Sequence, residues 1–128
     1  MEPFPKDVQQ FLQTFITSTD QLEILRVLGD EPNREWVDPE LAKQVQITPE
    51  TIRSRLHELK QLGFIRCRSN GDRLICQYGP QTVELEKKLQ QLLVLYRQRP
   101  VTMIRMIYER PANALRNFAD AFRLKSKE

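Results

Sequence analysis

The sequence predicts a mainly α chain with one small β-hairpin, an α+β class built around a single core with helices added at both ends. Three observations predict it. Two proline-led helix starts, Asp38-Pro39-Glu40 and Thr48-Pro49-Glu50, lie ten residues apart and define a helix, a tight turn and a second helix. After Gly63 the apolar period changes from about 3.6 to 2. Two short alternating runs then flank Asn70-Gly71, a strong short-range hairpin signal.

Taken in order, Phe4, Val8, Phe11, Leu12, Phe15 and Ile16 recur at spacings of three and four, which predicts an amphipathic helix over Pro5 to Ile16. Thr19 or Asp20 is expected to cap a second helix through Leu28, with Gly29 closing it. Trp36-Val37 is a candidate short strand. Asp38 is expected to cap the helix PELAKQV, and QIT forms the turn. Thr48 then caps a helix running to Leu62 and stopped by Gly63. In the hairpin, Ile65, Cys67, Leu74, Cys76 and Tyr78 share one face, with Arg66, Arg68, Arg73, Ile75 and Gln77 on the other. A long helix follows over Gln81 to Arg97, broken by Pro100, and a segment with Val101, Ile104, Ile107 and Tyr108 comes next. Pro111 opens a last helix striped by Leu115, Phe118, Ala119 and Phe122.

Composition narrows the function. At 128 residues, with 40% apolar and 29% charged, the chain has the make-up of an ordinary globular domain. It has no apolar run of about 18 residues and no basic-then-apolar start, so no membrane partner and a cytoplasmic location are expected. With Asn70 and Gly71 as the central turn residues, Cys67 would face Leu74 and Cys76 would face Ile65. Buried reduced thiols are therefore expected rather than a disulfide. Two thiols without CxxC spacing and the single histidine, His57, do not make a zinc site, so neither metal nor cofactor is expected. Without a nucleophile-base pair or a glycine-rich phosphate loop, the chain is not expected to be an enzyme. The net charge of +3 is uneven: residues 1–63 hold 7 Lys/Arg against 11 Asp/Glu, and residues 64–128 hold 13 against 6. A basic second half suggests a polyanionic partner.

Two surfaces could meet such a partner. On the helix after Thr48, Ile52, Leu56 and Leu59 cluster on one side, so Glu50, Ser54, His57, Glu58 and Gln61 face the other way, with Arg53 on the flank. Arg53, Ser54 and His57 carry donors able to reach base edges, Arg53 in bidentate fashion to guanine. The helix start offers amides to a phosphate, supported by the Thr48 and Thr51 hydroxyls. In the hairpin the same register puts Arg68 opposite Arg73, a like-charge pair that a phosphate would relieve, with Arg66 on the same face. A solvated helix face, and an arginine ladder partnered by Asp72, are the plain alternatives.

The run LAKQVQITPETIRSRLHELKQLGFIRC (41–67) and the tip NGDR (70–73) make the chain similar to bacterial winged helix-turn-helix transcriptional regulators, chiefly the MarR-like and ArsR-like families. The resemblance spans Leu22 to Tyr78. It implies double-stranded DNA as the partner, with Pro49, Thr51, Arg53 and Ser54 at the groove and Arg68 to Arg73 on flanking backbone. With the residue reading, the candidate DNA-binding set is Thr48, Pro49, Thr51, Arg53, Ser54, His57, Arg66, Arg68, Asn70, Gly71 and Arg73. The helix Pro49 to Leu62 is expected in the major groove and the wing Arg66 to Arg73 on backbone or minor groove. The cysteine-rich metal motif of metal-sensing ArsR-like proteins is missing, and no particular effector is implied. The expected division is an N-terminal helix over 1–18, a winged core over 19–79 and C-terminal helices over 80–128, the two flanks serving a homodimer or completing one monomeric core. A winged-helix adaptor that binds protein without reading DNA is the alternative function.

Overall fold

The computed structural model describes residues 4–109, as six helices and a three-stranded antiparallel sheet. The order is α1 (Lys6–Phe15), α2 (Thr19–Asp30), β1 (Trp36–Val37), α3 (Asp38–Val45), α4 (Pro49–Gln61), β2 (Ile65–Asn70), β3 (Arg73–Tyr78), α5 (Val83–Gln98) and α6 (Pro100–Tyr108). The predicted last helix from Pro111, and most of the basic tail, lie outside the described residues.

Helix starts and stops follow local chemistry, with departures from expectation at α2 and α3. Ser18, not Thr19 or Asp20, caps α2, accepting from the Gln21 amide at 3.3 Å, and the helix continues past Gly29 to Asp30. Asp38 does not cap α3: it makes no capping bond and its side chain is used elsewhere. Thr48 caps α4 as predicted, accepting from the Thr51 amide at 3.1 Å. The tight turn between α3 and α4 is closed by Gln46 in the left-handed region, at φ 59 and ψ 49. Gly63 follows α4 at φ +79, a conformation that suits a residue without Cβ.

The hairpin differs from the predicted register. Asn70 pairs with Arg73, so the two central turn residues are Gly71 and Asp72 rather than Asn70 and Gly71. Only the first of them, Gly71 at φ +65, has positive φ, and glycine at that place is the mark of a II′ turn. The shift leaves the two faces as predicted but changes every partner. Cys67 now stands opposite Cys76, Arg68 opposite Ile75 and Arg66 opposite Gln77. With their Cα atoms 4.2 Å apart, Cys67 and Cys76 form a disulfide, so the expected reduced thiols and the Arg68–Arg73 like-charge pair are both corrected. On the other edge of β3, Trp36 of β1 pairs with Cys76, giving the strand order β1-β3-β2.

One core joins all these elements. Leu22, Leu25 and Leu28 of α2, Ile52, Leu56 and Leu59 of α4, and Leu89 and Leu92 of α5 are fully buried in it. The stripe of α1 enters the same core through Val8, Leu12 and Ile16, and Phe11 stacks on Phe64 at 5.7 Å between centroids. Much of the apolar face expected to await a partner is thus used within the chain. Among the described residues, the large apolar side chains that stay exposed are Val83, Val94, Val101 and Tyr108, all on α5 and α6.

Candidate nucleic-acid interface

On α4 the helical period delivers the predicted surface. Ile52, Leu56 and Leu59 point inward, and Pro49, Glu50, Ser54, His57 and Gln61 are exposed. Glu58, expected on that outer face, is half-buried instead: its Oε1 accepts from Gln21 Nε2 at 2.8 Å, and Arg55 Nη1 donates to both of its oxygens. One of the two carboxylates that would repel a phosphate is therefore turned away. Gln21 itself is buried, its Oε1 accepting from the Thr17 amide at 2.7 Å, so a single glutamine ties α2 to α4.

The amides expected at the start of α4 are largely spent within the helix. Pro49 has no N–H, the Thr51 amide donates to Thr48 Oγ1, and the Ile52 amide donates to the Thr48 carbonyl. Thr48 and Thr51 are further linked hydroxyl to hydroxyl at 2.8 Å.

Arg53 has a different role from the one its position on the flank suggests. Its Nε donates to Asp38 Oδ2 at 2.8 Å and its Nη2 donates to the Asp72 carbonyl. Asp38, only 6% exposed, also accepts from the Leu74 amide of β3 at 3.1 Å through its other oxygen. Burial pushes the Asp38 carboxyl up, but the Arg53 and Leu74 bonds outweigh it and hold the group below its ordinary value. One carboxylate and one guanidinium thus lock the start of α3, the middle of α4 and the hairpin tip into one body. Two of the arginine's donor positions serve that lock, so it positions the surface rather than offering a free bidentate fork to guanine.

In the hairpin the three arginines separate. Arg68 is paired with Glu35, Nε to Oε2 at 3.1 Å and Nη2 to Oε1 at 3.3 Å, and this hydrogen bond holds the exposed Glu35 carboxyl below its usual range. Arg73, beside Asn70 and Gly71 at the exposed tip, makes no ion pair among the described residues. Arg66 is at the opposite end of the strand. Four residues from Asn70, it lies roughly 13 Å from the tip at a strand rise of 3.3 Å per residue. The structure therefore brings Thr48, Pro49, Thr51, Ser54 and His57 on α4 together with Asn70, Gly71 and Arg73 through the Arg53 bridge, and leaves Arg66 apart. Asp38, Glu35 and Gln21 are the residues that sequence reasoning missed. All three act through partners more than 14 positions away, and no local pattern reports that.

Among the described residues no group of His, Cys, Asp or Glu is placed to hold a metal ion, and no helix is long and apolar enough to cross a membrane.

A helix-turn-helix followed by a hairpin on a three-stranded sheet defines a winged helix-turn-helix, and solved structures share it. MepR, a transcription regulator of the Staphylococcus aureus multidrug efflux pump MepA, superposes with a TM-score of 0.55 at 17% identity, over 95% of this chain and 87% of that one. A homodimeric winged helix-turn-helix DNA-binding domain from Mycobacterium bovis, a possible ArsR-family regulator, gives 0.52 at 16% identity over 77% and 93%. HlyU from Vibrio cholerae gives 0.52 at 15% over 73% and 90%. The winged helix-turn-helix expected from the sequence is thus the fold of the chain. No protein-family model and no curated relative matches the chain.

Proposed function

We propose that the chain is a sequence-specific double-stranded DNA-binding transcriptional regulator. The observation that carries this reading is the rigid joining of an exposed helix face to the exposed wing-tip Arg73, which makes no ion pair among the described residues, through Asp38, Arg53 and Asp72. Ser54 and His57, with Gln61 beyond them, read base edges in the major groove. Arg73 and the Asn70-Gly71 turn rest on flanking backbone or in the minor groove. Arg53 holds the two surfaces in register. The solved structures of like fold support the same class, being described as transcription regulators and a DNA-binding domain rather than as enzymes.

We further propose that it acts as a homodimer, joined by the exposed Val83, Val94 and Val101 of α5 and α6, with α1 contributing less than the sequence suggested. The described homodimeric state of the Mycobacterium bovis domain supports this. Two-fold pairing sets the two α4 helices about one DNA turn apart and demands an inverted repeat.

The ion pairs of Arg53 and Arg68 with Asp38 and Glu35 favour the adaptor alternative, because they remove free positive charge from the surface. Selection of bound duplexes from a random pool at near-physiological salt decides between the two. An enriched inverted repeat, bound with a steep loss of affinity as salt rises, establishes the regulator. No enrichment and a flat salt response refute it.

A further inference from the structure

The tip of the hairpin carries a chemistry that DNA binding does not use. Asn70 is followed by Gly71, whereas the other asparagines of the chain, Asn33, Asn113 and Asn117, precede Arg34, Ala114 and Phe118. The backbone nitrogen of the residue after an asparagine can attack the side-chain carbonyl carbon and close a small ring. A Cβ on that next residue shields the nitrogen, and glycine has none.

Both reacting groups are available. Asn70 and Gly71 are exposed where β2 turns into β3. Neither the Asn70 carboxamide nor the Gly71 N–H has a hydrogen-bond partner among the described residues. A Cβ built on Gly71, at φ +65, would meet nothing within 4 Å, so no neighbouring side chain confines this peptide. Ring closure turns the Asn70–Gly71 peptide out of its extended setting. That local opening parts the Asn70–Arg73 pair and leaves the Cys67–Cys76 disulfide and the ladder behind it in place.

We propose that Asn70 is a self-modifying site, at which the wing tip converts itself from a neutral to an anionic form. The Gly71 nitrogen attacks Asn70 Cγ. A bond forms between them, the Cγ–Nδ2 bond breaks, and the side-chain nitrogen leaves as ammonia with the proton that Gly71 gave up. Water then opens the ring. Attack at Cγ leaves an aspartate, and attack at the main-chain carbonyl leaves an isoaspartate with one more methylene in its backbone; either acid gives its proton to solvent. The aspartate carboxylate stands across the strand pair from Arg73, which makes no ion pair among the described residues, and opposite charges there attract. The wing-tip charge available to a phosphate is thereby cancelled. That effect on duplex binding rests on the function proposed above, whereas the reaction itself does not.

Ageing the full chain at mildly alkaline pH and physiological temperature, followed by peptide mapping, tests the reaction without any duplex. The expected result is progressive conversion of Asn70 to aspartate and isoaspartate, at least about tenfold faster than conversion of the equally exposed Asn33, a barrier lower by about 1.4 kcal/mol. Asn70→Gln, whose longer side chain closes a ring less readily, is expected to stay unconverted at that position. The aged, more acidic form is then separated by ion exchange and compared with fresh protein on a duplex that fresh wild type binds. Its salt slope is expected to be lower by about one phosphate contact, and Asn70→Asp should show the same loss without ageing. Conversion at Asn70 no faster than at Asn33, or an aged form that keeps the wild-type slope, overturns the proposal. If fresh wild type binds no duplex, it is the DNA-binding assignment that fails, and the peptide map alone decides whether Asn70 modifies itself.

Discussion

Reducing the Cys67–Cys76 disulfide opens a covalent loop whose ends are nine residues apart in sequence. In the folded chain this changes little, because the ladder and the two-residue turn already hold Cys67 against Cys76. The effect falls on the unfolded chain, which regains the freedom that the bridge removed. For a loop of that length the chain-entropy relation gives about 2.6 kcal/mol at 25 °C. With about 2.1 cal/mol/K of unfolding entropy per residue, this corresponds to a melting temperature lower by about 10 °C. The assay is thermal unfolding followed by circular dichroism with and without a phosphine reductant, with thiol alkylation and mass measurement to verify the redox state. Cys67→Ala/Cys76→Ala should melt near the reduced protein and ignore the reductant. A fully reduced chain that melts within about 2 °C of the oxidised one would refute the reasoning, since unfolded-state entropy would then contribute almost nothing.

Asp38→Ala removes the shared acceptor of Arg53 and the Leu74 amide, and should destabilise the chain by about 2–3 kcal/mol in urea unfolding while weakening binding to every duplex alike. Because the folded Asp38 carboxyl lies below its ordinary 3.8, its stabilising contribution is complete above that pH and disappears as pH falls through the lower folded value. Wild type should therefore lose stability below about pH 4 more steeply than Asp38→Asn, as acid titration of the unfolding midpoint would reveal. Arg73→Ala should reduce affinity for all duplexes and lower the salt slope by about one phosphate contact. His57→Ala should change which sequences are enriched, and the reverse assignment of these two effects would contradict the division of roles. Gly63→Ala forces a side chain into φ +79 and toward Gln81, at a cost of about 1–2 kcal/mol measurable by chemical denaturation.

Sequence legibility follows the range of the interaction concerned. The inward faces of α1, α4 and the hairpin were readable because burial repeats every 3.6 or 2 residues whatever the tertiary partner. The hairpin register was not. Asn70-Gly71 and Gly71-Asp72 are both acceptable two-residue turns, and the choice between them depends on the pairing of Cys67 with Cys76 and of Trp36 with β3. At the candidate interface, Ser54 and His57 were readable as an outward face. Arg53 looked like a base reader because its two partners, Asp38 and Asp72, come from 15 residues before it and 19 after it. Proximity of that kind is decided by packing, and helical projection is blind to it.

The three phenylalanine rings have a mechanical consequence. Phe64 is the residue at which the chain leaves α4 and enters β2, and Phe11 and Phe15 of α1 rest on it at 5.7 and 6.2 Å. The elbow between the helix and its wing is thus clamped from behind by α1. Pushing that helix sideways must either drag the elbow along or part the rings, so a displacement of α1 is felt at the joint between helix and wing.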